Sequence, residues 1–357
     1  MSLITYDALQ AAVTQVPSGG SRPNLTEAYY DRRLLAKAQR KLIHDRYGQQ
    51  RPLPQKNGKT IMFRRYTKFS QNITPLGTGN PTGHQMAYTD IQATVEIYGD
   101  FVWLSDEIDM FFIDNASNEA SDLCSIQMGE SMDSVCRDII NAGTSVYRST
   151  ADGASPTYGS STRSTVNACL TKKVCDAAIT ALHAEDAEYP LARIGATSKI
   201  ATEPVGESFV CITHPHVAHD MVQTASGFGT DFTPTEGYAS YEGLLPGEFG
   251  KYRNLRFCMT TNAKVWINEG GGTGAGTTYR STGGSAVDVY SVLIIAKDSY
   301  GVVPLAGYAS KLIRKPLGSA GTADALDRFA TVGWKAVRTA VILNDAWMTR
   351  IEVAALI

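Results

Sequence analysis

Lys315-Pro316-Leu317-Gly318-Ser319, then Asp324-Ala325-Leu326-Asp327-Arg328, then Thr331-Val332-Gly333-Trp334-Lys335 lead into the apolar run Ala336 to Leu343. The first group is a turn, with Pro to fix φ and Gly to allow a reversal. The rest predicts two strands, Trp334 to Leu343 and Trp347 to Val353, joined at Asn344-Asp345. Nothing in this stretch carries a nucleophile, a metal-ligand spacing or a phosphate loop. It is built to pair and to pack.

Upstream, Val287 to Ala296, Asn254 to Thr260 and Phe209-Val210-Cys211-Ile212 are short apolar runs that predict buried strands. Thr213 is expected to cap a helix with Pro215 in its first turn. Between Val265 and Val287 the glycine-rich segment 269–285 reads as a flexible surface loop. A continuous apolar stripe, Val166, Cys169, Leu170, Val174, Ala177, Ala178, Ala181 and Leu182, predicts a helix over Thr165 to Ala187. The Ser, Thr and Gly-rich stretch from Tyr147 to Ser164 predicts an exposed loop or hairpin. A second helix is expected from Ser117 to Ala142, about 40 Å long at the helical rise, with Gly143 as its stop.

The region from Gln55 to about Leu104 reads as a two-stranded arm. Asn57-Gly58 is a turn signal before the strand Lys59 to Thr67. A turn-rich tip, Thr74 to Gly83, follows, and Asp90 to Ile97 returns with strict polar–apolar alternation. A lone two-stranded ladder is at best marginally stable in water, so this arm needs a neighbour. Before it, Met1 to Pro23 forms an amino-terminal arm, and Asn24 with Glu27 predicts a capped helix to about Tyr47. Its apolar face carries Tyr30, Leu34, Leu35, Ala38 and Leu42. Arg32, Arg33, Lys37, Arg40 and Lys41 crowd the rest, either as a solvated face or as a subunit or scaffold contact.

Size and composition bound the function. The 357 residues allow two compact domains or one large domain with insertions, since a domain spans ~100–200 residues. Hydrophobic residues at 43% against 19% charged residues fit a folded chain and exclude a disordered one. The formal charge of −2 gives no sign of a nucleic-acid reader. A near-neutral wall is nevertheless compatible with enclosing DNA, because it would not adsorb the genome through counterion release. Cys124, Cys136, Cys169, Cys175, Cys211 and Cys258 include no C-x-x-C pair and are expected as buried thiols of a cytoplasmic product. No secretory signal and no membrane span is read from the sequence.

Three constellations could carry chemistry. His214, His216 and His219 could bind zinc if they converged, but they lack an H-E-x-x-H pattern, so capping and packing are expected. Gly270 to Gly276 lacks the G-K-[ST] ending of a P-loop. Asp106, Glu107 and Asp109, with Asp114, form an acidic patch. Its expected partners are the cations of the arm, Lys59, Arg64, Arg65 and Lys68, within one subunit or between two. No G-x-S-x-G elbow is present. The expectation is a non-enzymatic protein with no cofactor, no metal and no catalytic residue.

The closing stretch closely resembles the end of tailed-bacteriophage major capsid proteins of the phage N4 kind. Their pattern there is a Lys-Pro-x-Gly turn, an Asp-Pro-Leu-type segment and a Thr-Val-Gly-Trp-Lys strand start. Ala325 departs from an expected Pro, and Phe329 from an expected Gly. Four further segments are similar to the same family in order along the chain: Asn57 to Tyr66, Ile97-Tyr98-Gly99-Asp100-Phe101-Val102, Arg137 to Gly143, and Leu245-Pro246-Gly247-Glu248-Phe249-Gly250-Lys251.

The resemblance implies an α+β chain with the Hong Kong 97-type capsid fold. It implies an N-terminal arm with helix at 1–54, an E-loop at 55–104, a P-domain with a spine helix at 105–164 and 311–357, and an A-domain at 165–310. The implied role is a major head protein that self-assembles into hexamers and pentamers of an icosahedral shell. That shell would enclose double-stranded DNA without sequence-specific binding. A separate scaffolding protein, a portal protein and a decoration protein are the implied partners, with assembly in the host cytoplasm. Mature subunits are expected to retain essentially the full chain. The subunit-contact candidates are Lys59, Arg64, Arg65, Lys68, Asp106, Glu107, Arg32 and Arg33. Two alternatives stand beside this reading: an encapsulin-type nanocompartment shell, and an α/β enzyme.

Overall fold

The computed structural model describes residues 42–73, 75, 83–111, 115–150, 157–158, 162–195, 203–223, 228–272, 279–321 and 324–356. The chain divides into two compact units. Among the described residues the first takes those of Ile97–Asp133 and Tyr308–Val337, and the second takes those of 42–96, Ser134–Gly307 and 338–356.

In chain order the first elements are β1 (Gln49–Gln50), the arm strands β2 (Thr60–Tyr66) and β3 (Tyr88–Thr94), and β4 (Glu96–Ser105). Helices α1 (Asp106–Phe111) and α2 (Ala116–Ile140) follow, then β5 (Val146–Arg148) and β6 (Thr157–Tyr158). Next come α3 (Lys172–Ala184), β7 (Phe209–Thr213) and α4 (Pro215–Val222). The strands β8 (Thr233–Pro234), β9 (Glu248–Tyr252), β10 (Leu255–Met259) and β11 (Val265–Trp266) lead to β12 (Val289–Ile295). The chain closes with β13 (Tyr300–Pro304), β14 (Ser310–Lys315), β15 (Phe329–Ile342) and β16 (Met348–Val353).

In the second unit the main sheet has the order β6-β5-β16-β12-β7-β10-β9-β8, with β11 also on β12. Its centre is covered on both faces. Phe209, Cys211, Tyr290, Val292 and Ile294 join a core with Val174, Cys175, Ala178 and Leu182 of α3 and Val217 and Met221 of α4. Val210, Ile212, Leu293 and Ile295 point the other way, to Cys136 and Ile140 of α2, Tyr300, Val302 and Met348. Two-sided burial is why β7 and β12 are almost wholly apolar rather than alternating, and the buried Ser291 of β12 donates to Asn141 Oδ1.

One buried ion pair organises the turn Leu245 to Lys251. Glu248 accepts from Arg256 Nε at 2.7 Å and Nη2 at 2.6 Å, from Tyr238 Oη at 2.9 Å and from the Leu245 amide at 2.9 Å. The Arg256 and Glu248 side chains are 2% and 1% exposed. The Gly-Glu-x-Gly-Lys signature is therefore a buried carboxylate with four donors.

In the first unit β15 runs between two partners. β14 pairs with it antiparallel from Ser310↔Ala336 to Lys315↔Thr331, and β4 pairs with it as well. Helix α2 covers one face of this three-stranded layer: Cys124 Sγ reaches Val332 O at 3.8 Å, and Arg314 Nη1 donates to Asn118 Oδ1 at 3.1 Å.

Several expectations are corrected. The helix expected over 24–47 falls outside the described residues up to 41, and 42–48 are turn rather than helix. Ile43 is buried there, and His44 O is taken by Tyr300 Oη at 2.5 Å and Cys136 Sγ at 3.3 Å. The stripe helix starts at Lys172, not Thr165. Backbone groups of Val166, Asn167 and Ala168 bond to Gly271, Ser149 and Ala354 instead, as in a strand. It ends at Ala184, before Asp186 at φ 53°. The cap of α4 is His214, not Thr213, because Thr213 is still in register with Met259 in β7. The arm ladder stops at Thr94, short of Leu104, since β4 joins β15 in the other unit. Of the glycine-rich loop, residues 273–278 lie outside the described residues. Its edges are bonded: Gly270 N donates to Val287 O, and Gly271 N to Val166 O. The expected helix over 117–142 and its stop are found nearly as read, at Ala116–Ile140 with Gly143 N on Ile140 O. All six cysteines are free thiols, and five are buried.

Candidate subunit-contact surfaces

The arm is a seven-pair antiparallel ladder from Thr60↔Thr94 to Tyr66↔Tyr88. Alternation sets two faces. Ile61, Phe63, Ile91 and Ala93 lie on one, and they are the partly or fully buried side. Met62, Arg64, Tyr66, Tyr88, Asp90 and Gln92 lie on the other, where Met62, Tyr66 and Tyr88 are exposed.

On that outer face Arg64 is directly opposite Asp90 and grips it with two hydrogen bonds, 2.8 and 2.9 Å. Its guanidinium also lies 4.1 Å from the Tyr88 ring centroid. The hydrogen bonds from Arg64 hold the Asp90 carboxyl below its ordinary range. Arg65 faces the opposite way and is exposed. Lys68 Nζ is 3.2 Å from Asp186 Oδ2, but both side chains are more than 80% exposed, so the pair contributes little. Lys59 is exposed, and its carbonyl accepts the Val95 amide at 2.8 Å.

Within this chain Asp106 and Glu107 of the acidic patch meet Arg328. Arg328 Nε is 3.4 Å from Asp106 Oδ1, and Arg328 Nη2 is 3.2 Å from Glu107 Oε1. Asp106 Oδ1 also accepts the Glu107 amide at 2.9 Å, at the start of α1. Within this chain the arm cations do not reach either carboxylate. The physical reason is connectivity: β4 carries Asp106 into the layer that holds Arg328. Arg32, Arg33, Asp114 and the Asp109 side chain fall outside the described residues.

Two sequence signatures meet in the first unit. A Cβ on Gly99 would sit 2.8 Å from Trp334 O, and one on Gly333 would sit 2.9 Å from Asp100 O and 2.7 Å from Phe101 Cβ. The Tyr-Gly-Asp and Val-Gly-Trp segments are thus the two sides of one close strand approach, and neither glycine can carry a side chain there. Gln127 of α2 ties them together: it donates to Asp100 Oδ2 at 2.7 Å and accepts from Trp334 Nε1 at 3.0 Å.

The face of this layer away from α2 carries Ile97, Phe101 and Trp103 from β4, Phe329 from β15, and Lys311, Ile313, Lys315 and Lys335. Phe101 meets Trp103 edge-on at 5.5 Å, and Trp103 meets Phe329 at 5.8 Å. Ile97, Phe101 and Trp103 are each more than half exposed. Phe329, a departure from the sequence pattern, thereby extends an aromatic strip. Ala325, the other departure, is the second residue of a turn closed by Asp327 N on Asp324 O, where Pro is equally at home. An exposed apolar strip of this kind is a candidate contact surface. Sequence reading missed Gln127, Arg328 and Asp90 as partners. The one available signal was the cross-strand offset of Arg64 and Asp90 about the centre of the 74–83 tip.

No protein-family model matches the chain, and no curated protein matches it. Solved structures do. The capsid structure of the cyanophage P-SCSP1u superposes with a TM-score of 0.61 at 14% identity, over 93% of this chain and 94% of that chain. The capsid of Ralstonia phage GP4 gives 0.60 at 11% identity, over 96% and 98%. The chain has the Hong Kong 97-type capsid fold. The holo-SrpI encapsulin complex from Synechococcus elongatus is similar too, with a TM-score of 0.52 at 8% identity over 87% and 86%. The α+β reading of the sequence stands, and the similarity runs the length of the chain rather than one domain of it.

Proposed function

We propose that this chain is a major capsid protein of a tailed phage, many copies of which form the hexamers and pentamers of an icosahedral shell around double-stranded DNA. The observation that carries the reading is a capsid fold that exposes apolar side chains on the outer face of a two-stranded arm and on an open sheet face. A single soluble chain gains nothing from such surfaces, whereas neighbouring copies would cover them. Weak contacts repeated around a closed shell then sum. The role is structural and non-catalytic. In the proposed division the amino-terminal arm is 1–54, the E-loop 55–104, the P-domain 105–164 and 311–357, and the A-domain 165–310. A separate scaffolding protein, a portal and a decoration protein complete the proposed partners, with assembly in the host cytoplasm and final residence in the virion.

The encapsulin similarity supports a second reading, a shell around protein cargo. Shells purified from infected or expressing cells distinguish the two by content. Nuclease-protected double-stranded DNA supports the head protein, and a stoichiometric protein cargo without DNA supports the nanocompartment.

Arg64 and Arg65 give a finer test. Arg64 is committed to Asp90 within its own arm, whereas Arg65, on the other face of the ladder but exposed there, is the cation of the two assigned to a neighbour. Arg65→Glu is expected to lower particle yield at least tenfold more than Arg64→Gln, measured by sedimentation of assembly reactions. Equal yields would contradict a neighbour-facing role for Arg65.

A further inference from the structure

The amino end of α4 is capped in an unusual way. His214 Nδ1 accepts the backbone amide of His216 at 3.2 Å, with Pro215 at the first helical position. A histidine can accept at Nδ1 only while that nitrogen is unprotonated, because both nitrogens of the cation are donors. The cap therefore exists in one charge state. A cation at this position would also oppose the positive end of the helix.

The surroundings magnify the penalty. The His214 ring lies 4.7 Å from that of His216 and 5.1 Å from that of Tyr290 on β12. Arg280 lies close enough to Tyr290 to hydrogen-bond it and to act on both histidines. Two carboxylates stand nearby and are already committed. Asp220 accepts the Leu356 amide at 2.8 Å, and Asp288 accepts the Asn268 and Thr282 amides at 3.0 Å each. Burial, then His216 and Arg280, push the His214 imidazole down to about 4. His219, the third histidine of the helix, bonds Gln223 at its far end.

We propose that His214 is an acid-released helix cap. A proton from solvent binds Nδ1, the bond to the His216 amide is lost, and Pro215–Val222 loosens. Asp220 on that helix then lets go of the carboxy-terminal segment 354–356, which is otherwise bonded to Asp220 at Leu356 and to Arg280 and Ala168 at Ala355 and Ala354. The direction follows from linkage. His214 is neutral when folded and takes a proton near 6.5 when unfolded, so stability is full above that pH and falls as pH drops toward 4.

The test compares the full chain with His214→Asn, whose amide oxygen caps at every pH. Denaturant unfolding is measured at half-unit steps from pH 7.5 to 4.5. The folding constant of the parent is expected to lose about tenfold more per pH unit than that of the variant below pH ~6. Identical pH slopes would overturn the proposal. Should the variant not fold, histidine-selective NMR of the parent decides. A His214 ring that stays neutral at pH 5, and whose protonation coincides with loss of the 216–222 amide signals, supports the switch. A ring that titrates near 6.5 with those signals unchanged overturns it.

Discussion

Removing the arm tip, residues 74–83, is expected to leave a soluble, folded subunit that forms no shells. The ladder Thr60–Tyr66 with Tyr88–Thr94 is two strands wide, and only its inner side chains, such as Phe63, Ile91 and Ala93, are partly or fully buried in the chain. Such a ladder is marginal alone. Its Met62, Tyr66 and Tyr88 are exposed, and in the proposed shell another copy covers them. The main sheet of the second unit, with its two-sided core, does not depend on the tip, so circular dichroism and the unfolding midpoint should hardly move. Particle counts by negative-stain microscopy should fall to background. Normal particles from the deletion would contradict the arm's role.

Glu248→Ala should cost the most stability of any single surface-to-core change near the Leu245 to Lys251 turn. It strips Arg256, 2% exposed, of the carboxylate it is paired with and leaves the Tyr238 hydroxyl and the Leu245 amide without this acceptor. Breaking a buried pair from one side costs ~3–5 kcal/mol, because an uncompensated charge stays behind. In a chain of this size that is a fall in Tm on the order of 10 °C. Arg256→Met with Glu248→Leu should cost less than Glu248→Ala, since no charge is stranded. Calorimetry of the three proteins checks both statements. A Glu248→Ala loss under 1 kcal/mol would show that the pair is not held as described.

Much of the fold is legible in the sequence where one residue or one period decides it. Gly143 ends α2, Asn57-Gly58 opens the arm, and nearly unbroken apolar runs mark β7 and β12 as buried on both sides. The errors lie where two conformations share one pattern. Val166, Cys169 and Leu170 fit a helical stripe, yet the backbone from 166 to 169 is claimed by Gly271, Ser149 and Ala354, which are remote in sequence. Local spacing cannot register such competition. The contact surfaces were harder still. Asp106 and Glu107 find Arg328 more than 200 positions away, and Gln127 finds Trp334 at a similar distance. The composition offers several other cations for those acids. The two glycines that permit the crossing of β4 and β15 were visible as motifs, but their shared purpose appears only once they are opposed.

The most direct measurement is cryo-electron microscopy of the particles that the expressed full chain forms. The expected result is closed icosahedral shells of hexamers and pentamers, with the Thr60–Thr94 arm of each copy lying on an adjacent copy. A monodisperse monomer, or shells in which every arm folds back on its own subunit, would contradict it.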